Sequence, residues 1–90
     1  MQVLVCGAGQ VGFNIARYLA MENNDVTVVD QSPELVRRIS DSLDVKGIVG
    51  HASHPDVLER AGAGATDIII AVTQADEVNM MACQVAHSLF

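Results

Sequence analysis

The glycines of the run Gly7-Ala8-Gly9-Gln10-Val11-Gly12, and Asp30 about twenty residues further on, are the residues whose types and spacing imply chemistry. A G-x-G-x-x-G run brings main-chain N–H groups to a surface with little side chain in the way. Gly7 permits a tight turn, Gly9 removes a Cβ so that a pyrophosphate can approach the backbone, and Gly12 lets a helix pack closely on the preceding strand. The N–H groups at the start of that helix, with its dipole behind them, hold phosphate without a lysine. A carboxylate at position 30 accepts hydrogen bonds from ribose hydroxyls and repels a 2′-phosphate. Gln31 and Ser32 follow it, with no adjacent arginine to receive that phosphate. The expected ligand is NAD(H), or another adenosine ligand without a 2′-phosphate, ahead of NADP. The plainer alternative is that the glycines serve packing alone and that Asp30 is a turn residue before a helix.

The elements that must position these residues are legible in the hydrophobic pattern. Val3-Leu4-Val5-Cys6 is a short apolar run ended by Gly7, the mark of a strand buried on both faces. From Gln10 to Met21 the residues Val11, Ile15 and Leu19 recur every fourth position, which predicts a helix stripe. Glu22-Asn23-Asn24-Asp25 stops it. Val26 to Val29 is a second buried strand closed by Asp30. Ser32 then caps a helix with Pro33 at its first position, running to about Leu43 with Leu35, Ile39 and Leu43 on one face. A weaker third strand spans Val45 to Gly50, interrupted by Lys46 and Gly47. Ser53 or His54 precedes Pro55 at the start of a short helix carrying Val57, Leu58 and Ala61, which Gly62 ends. Asp67 to Val72 is the strongest strand signal, and a final helix places Val78, Met81 or Ala82, Val85 and Leu89 on a stripe. The order β-α-β-α-β-α-β-α predicts an α/β, Rossmann-like three-layer parallel sheet with right-handed crossovers.

Composition narrows the class. Half of the 90 residues are hydrophobic and 18% are charged, which excludes a disordered chain. Eleven acidic against five basic residues give a net charge of −6, so no nucleic acid is expected as a partner. Cys6 and Cys83 form no CxxC pair and read as small buried hydrophobes. The N-terminus lacks a basic segment and a long apolar stretch, so no signal peptide and no direct membrane insertion are expected. A cytoplasmic location follows.

The remaining strand ends supply further candidates, because ligands bind beyond the carboxyl ends of parallel strands. His51 and Ala52 follow the third strand, where the small Ala52 leaves room for an adenine. Thr73 and Gln74 follow the fourth. The Thr73 hydroxyl can contact a phosphate or ribose, cap the last helix, or do both. His51, His54 and His87 have no Cys or carboxylate at metal-ligand spacing, so no metal site is expected. Met21, Met80 and Met81 read as core or interface packing, and Arg37-Arg38 and Glu59-Arg60 as solvated helix faces.

With these residues in place the chain resembles the regulator-of-potassium-conductance domains (RCK or KTN domains). The resemblance is carried by Gly-Ala-Gly-Gln-Val-Gly at 7–12, Val-Val-Asp at 28–30, Gly-His-Ala-Ser-His-Pro at 50–55, Ala-Val-Thr at 71–73 and Asp-Glu-Val-Asn-Met at 76–80. Many members carry Asp where this chain has His51. The resemblance implies a cytoplasmic regulatory subunit, peripheral at the inner face of the plasma membrane, that binds NAD(H), and in some members ATP or ADP, and controls a membrane-embedded potassium transporter subunit. It also implies pairing of domains, as a homodimer or a higher ring. Carried onto this sequence, the contacts would be Gly7 to Val11 on the pyrophosphate and Asp30 on the adenosine ribose. His51 and Ala52 would lie near the adenine, and Thr73 and Gln74 near the far phosphate or second ribose. Members of the family are longer, so residues 1–90 are expected to be the N-terminal nucleotide-binding domain of a longer chain, paired through the apolar last helix.

Two functional classes compete. One is a switch in which the nucleotide acts as a conformational effector. The other is the cofactor-binding half of an NAD-dependent oxidoreductase, which needs a positioned acid or base. No such constellation is visible: Tyr18 lies inside the first helix and His51 has no evident partner in the sequence. The non-enzymatic reading, with no catalytic residue, is the one expected.

Overall fold

Val3, Leu4, Val5 and Cys6 are all buried in strand β1 (Gln2–Cys6), which lies at the centre of the described sheet. The computed structural model describes residues 1–52 and 54–73. Along them follow α1 (Gln10–Met21), β2 (Asp25–Asp30), α2 (Pro33–Ser42), β3 (Lys46–Val49), α3 (Pro55–Arg60), a 3-10 turn at Ala63–Ala65, and β4 (Ile68–Ala71). The strands are parallel throughout, in the order β3-β2-β1-β4. Leu4 lies opposite Thr27 on one side and Ile69 on the other. The expected last helix, Gln74, Cys83 and the proposed pairing surface lie outside the described residues.

Alternation along the strands builds the three layers. Val3, Val5, Val26 and Val28 face one side, where they pack with Ala16 of α1 and Ile39 of α2. Leu4, Cys6 and Val29 face the other, with Val57 and Leu58 of α3. The α/β Rossmann-like architecture is therefore as the sequence predicts. β4 pairs with β1 alone among the described residues, and its Ile68 is correspondingly exposed.

Helix boundaries follow local chemistry. Ser32 is the N-cap of α2: its Oγ accepts the Leu35 N–H at 3.4 Å, and Pro33 takes the first turn. After α1 the chain turns through Asn23 at φ 63°, a left-handed position that asparagine tolerates. Asn24 Nδ2 donates to the Leu19 carbonyl at 3.0 Å and satisfies one helix-end acceptor.

The α1 stripe is rotated from the sequence reading. Gly12 and Ala16 are its buried residues, Ile15 and Leu19 are half-buried, and Val11 is 59% exposed. The reason is contact with the turn before the helix. A Cβ built at Gly12 would overlap the Gly7 carbonyl oxygen and lie 2.7 Å from the Gly7 carbonyl carbon. The residue pressed against that turn must be glycine, so its neighbour Val11, about 100° round the helix, points outward.

Candidate functional site

Gly7, the first residue after β1, has φ +124°, a backbone conformation that side chains rarely adopt. Its N–H donates to the Val29 carbonyl at 2.7 Å, continuing the β1–β2 ladder by one bond. A Cβ there would sit 2.9 Å from the Val72 carbonyl carbon and oxygen. Gly7 thus lies where the ends of β1, β2 and β4 converge. This is also where strand order reverses, since β1 has β2 on one side and β4 on the other. Parallel α/β sheets bind ligands at such a point.

Gly9 is the N-cap of α1 and makes no side-chain capping bond. The first helical bond runs from Phe13 N–H to the Gly9 carbonyl at 2.8 Å, so the amides of Gln10, Val11 and Gly12 have no acceptor within the helix. A Cβ at Gly9 would meet nothing within 4 Å among the described residues. No described residue fills the space above the helix start. The first turn of α1 also lacks an acidic residue, whereas α2 has Glu34 and α3 has Asp56 there. The dipole of α1 is therefore not offset by a carboxylate of its own first turn.

Asp30, half-buried at the end of β2, faces the glycine turn. Its Oδ2 accepts the Ala8 N–H at 2.8 Å and its Oδ1 accepts the Ser32 N–H at 2.8 Å. One carboxylate thereby ties the turn after β1 to the start of α2. Each oxygen has capacity for a second donor, since an ionised carboxylate offers about four acceptor positions. The carboxylate is held at both oxygens and can still receive two hydroxyls of a ribose.

These groups border one cleft of about 330 Å³, within the usual range for small-molecule sites. It is lined by Gly7 and Gly9 from the turn, Asp30 and Val29 from β2, His51 and Ala52 after β3, and Thr73 after β4. Of the residues the sequence singles out, these are the ones the fold brings together at the cleft wall, Val29 being an addition. Ala8 is buried beneath it and contributes its N–H to Asp30, while Gln10 and Val11 are exposed at the helix start and Gly12 is buried. Gln74 lies outside the described residues. Gln31, Leu35, Gly50 and Val72 also line the cleft and carried no assignment. Leu35 had a usable signal, because the Ser32 cap folds the first turn of α2 back beside Asp30.

Among the described residues no group of three or more His, Cys, Asp or Glu side chains could hold a metal ion. No described helix is long and apolar enough to cross a membrane. A second depression of about 300 Å³ lies over Asn14, Ile15, Tyr18, Leu19 and Ile70. It offers little to a charged ligand, since Asn14 and the Tyr18 hydroxyl are the only polar side-chain groups that the described residues place there.

Comparison with known proteins agrees with this fold. The Trk system potassium uptake protein TrkA of Azorhizobium caulinodans is 63% identical over 90 residues, covering all of this chain and 20% of that protein. Among solved structures, the Kef CTD of Shewanella denitrificans in AMP-bound form superposes with a TM-score of 0.85 at 24% identity, over 99% of this chain and 53% of that one. The NAD(P)-binding domain of an exopolyphosphatase-related protein from Archaeoglobus fulgidus gives 0.85 at 17% identity, over 98% and 65%. Both share the fold. The pattern of the TrkA-N domain matches residues 3–90, nearly the whole length, and the chain belongs to that family.

Proposed function

We propose that this chain is the nucleotide-sensing domain of a potassium uptake system, with NAD(H), or ADP or ATP, acting as a conformational effector rather than a consumed cofactor. The observation that carries the reading is the pairing of unoffset α1 amides above Gly9 with the doubly anchored Asp30 carboxylate across one cleft. The amides suit a phosphate and the carboxylate suits a ribose, at the strand-order reversal where such ligands bind. The AMP in the Kef structure and the NAD(P) named for the Archaeoglobus domain support an adenine ligand here. Gly7 to Val11 would contact the phosphates, His51 and Ala52 would border the base, and Thr73 and Gln74 would reach the far phosphate or second ribose.

The chain spans 20% of the length of its TrkA relatives. It would act as the N-terminal domain of a longer regulatory subunit. That subunit self-associates and docks on a membrane-embedded potassium transporter at the inner face of the plasma membrane. A ligand shifts such an assembly only by its differential affinity for two states.

The test is a fluorescence titration with NADH followed over time. The expected result is saturable binding with no loss of reduced cofactor. Steady oxidation of NADH in the presence of a small carbonyl compound would instead favour the oxidoreductase reading.

A further inference from the structure

His54 is the N-cap of α3, a position where Ser, Thr, Asp or Asn normally supplies a side-chain oxygen to the first helical amides. Its imidazole makes no capping bond. The main chain does the local work: the His54 carbonyl accepts the Val57 and Leu58 N–H groups at 3.1 and 3.2 Å, and its own N–H donates to the His51 carbonyl at 3.0 Å. Any residue could serve in that way. The imidazole is spent elsewhere, stacked on the ring of His51 with centroids 4.9 Å apart and planes 26° apart.

His51 is one of the residues lining the nucleotide cleft. The turn from His51 to His54 sets the two side chains side by side, and stacking restricts the rotation of each ring. The result is one imidazole at the cleft wall, the half-buried His51, backed on one face by the exposed His54 ring. Among the described residues the rest of the cleft wall is aliphatic or polar, with Val29, Leu35 and Val72 apolar and Asp30, Gln31 and Thr73 polar. A flat π-face held at a cleft wall is the feature by which proteins take up a nucleobase without reading its edges. We infer that the stacked pair is the platform for the base of the bound nucleotide, with His51 touching the base and His54 acting as the positioning residue behind it. This inference rests on the adenine-nucleotide reading of the cleft. It adds that the base is recognised by stacking on His51, whose ring His54 holds in place.

The experiment is calorimetric titration of the full chain with ADP, alongside inorganic pyrophosphate, which has no base. Removing the platform with His51→Ala should weaken ADP about tenfold, the scale of one base–aromatic stack, and leave pyrophosphate unchanged. His54→Ala should weaken ADP by a smaller factor, and His54→Phe should restore it. A thermal melt of each variant separates a binding loss from a folding loss, and the Phe variant decides if the Ala variants melt early. The inference is overturned if His51→Ala binds ADP like the unaltered chain, if ADP and pyrophosphate weaken together, or if Phe at position 54 is as poor as Ala. Failure of the unaltered chain to bind ADP would remove the nucleotide reading itself, and the platform with it.

Discussion

Gly12→Ala should lower the melting temperature by roughly 15 °C, although alanine is the better helix former. The intrinsic gain from Gly to Ala inside a helix is about 1 kcal/mol. Against it stands the overlap of the new methyl group with the Gly7 carbonyl, which is main chain and cannot rotate away. Relieving it requires α1 to lift from the turn and from the strands beneath Ala16. Overpacking of this kind costs about 3 kcal/mol. The net loss of about 2 kcal/mol corresponds to about 8–16 °C in a domain of this size, with the rigid backbone contact placing the effect near the top of that range. Gly9→Ala is the matched control. Its methyl group meets no atom of the described residues within 4 Å. Stability should fall by no more than about 1 kcal/mol, the difference between two N-cap residues. Nucleotide affinity should nevertheless drop more than about tenfold, because the methyl group occupies the space above the amides. Thermal melts and titrations of the two variants check both outcomes. A Gly12→Ala protein as stable as its parent would show that the turn can yield.

Asp30→Ala should weaken ADP and NADH by more than about a hundredfold. Hydrogen bonds from neutral hydroxyls to a charged carboxylate are worth about 1.5–3 kcal/mol each, and two of them are lost with the ribose. Pyrophosphate should also weaken, but by a few-fold only. That smaller effect comes from the structure: the same carboxylate holds the Ala8 and Ser32 amides at 2.8 Å, so its removal loosens the turn that presents the phosphate-facing N–H groups. Discrimination against NADP should shrink, since the charge that repels a 2′-phosphate is gone. Equal losses for ADP and pyrophosphate would take the ribose role away from Asp30 and leave it as a brace between β2 and the glycine turn.

Much of this arrangement is written locally. Strands of five and six residues, β1 stopped by Gly7 and β2 ending at Asp30, and helices opened by Ser32-Pro33 and by Pro55 after His54, are short-range signals, so the β-α alternation and the parallel sheet could be read directly. Asp30 and the glycines were legible because spacing along one βαβ unit fixes their relation. The rotation of α1 was not legible. A stripe of bulky residues points to Val11, Ile15 and Leu19, whereas the surface actually pressed on the sheet is set by the small residues Gly12 and Ala16, which carry little hydrophobic weight. Gly47 is a similar case. It looks like a weakness in β3, yet a Cβ there would collide with Ser40 and Val36, so glycine is what lets α2 lie on that strand. The double duty of the Asp30 carboxylate depends on a contact 22 residues away in sequence. The His51–His54 stack depends on the turn between them, and helix-start chemistry alone gives no reason to look for it.

The most direct test is an amide NMR titration of the isotopically labelled protein with ADP. Saturable shifts should concentrate at Ala8 to Gly12, at Ser32 beside the Asp30 carboxylate, and at His51 and Ala52. An absence of saturable shifts, or shifts confined to the apolar depression around Asn14, Tyr18 and Ile70, would contradict the assignment of the glycine turn and Asp30 as the nucleotide site.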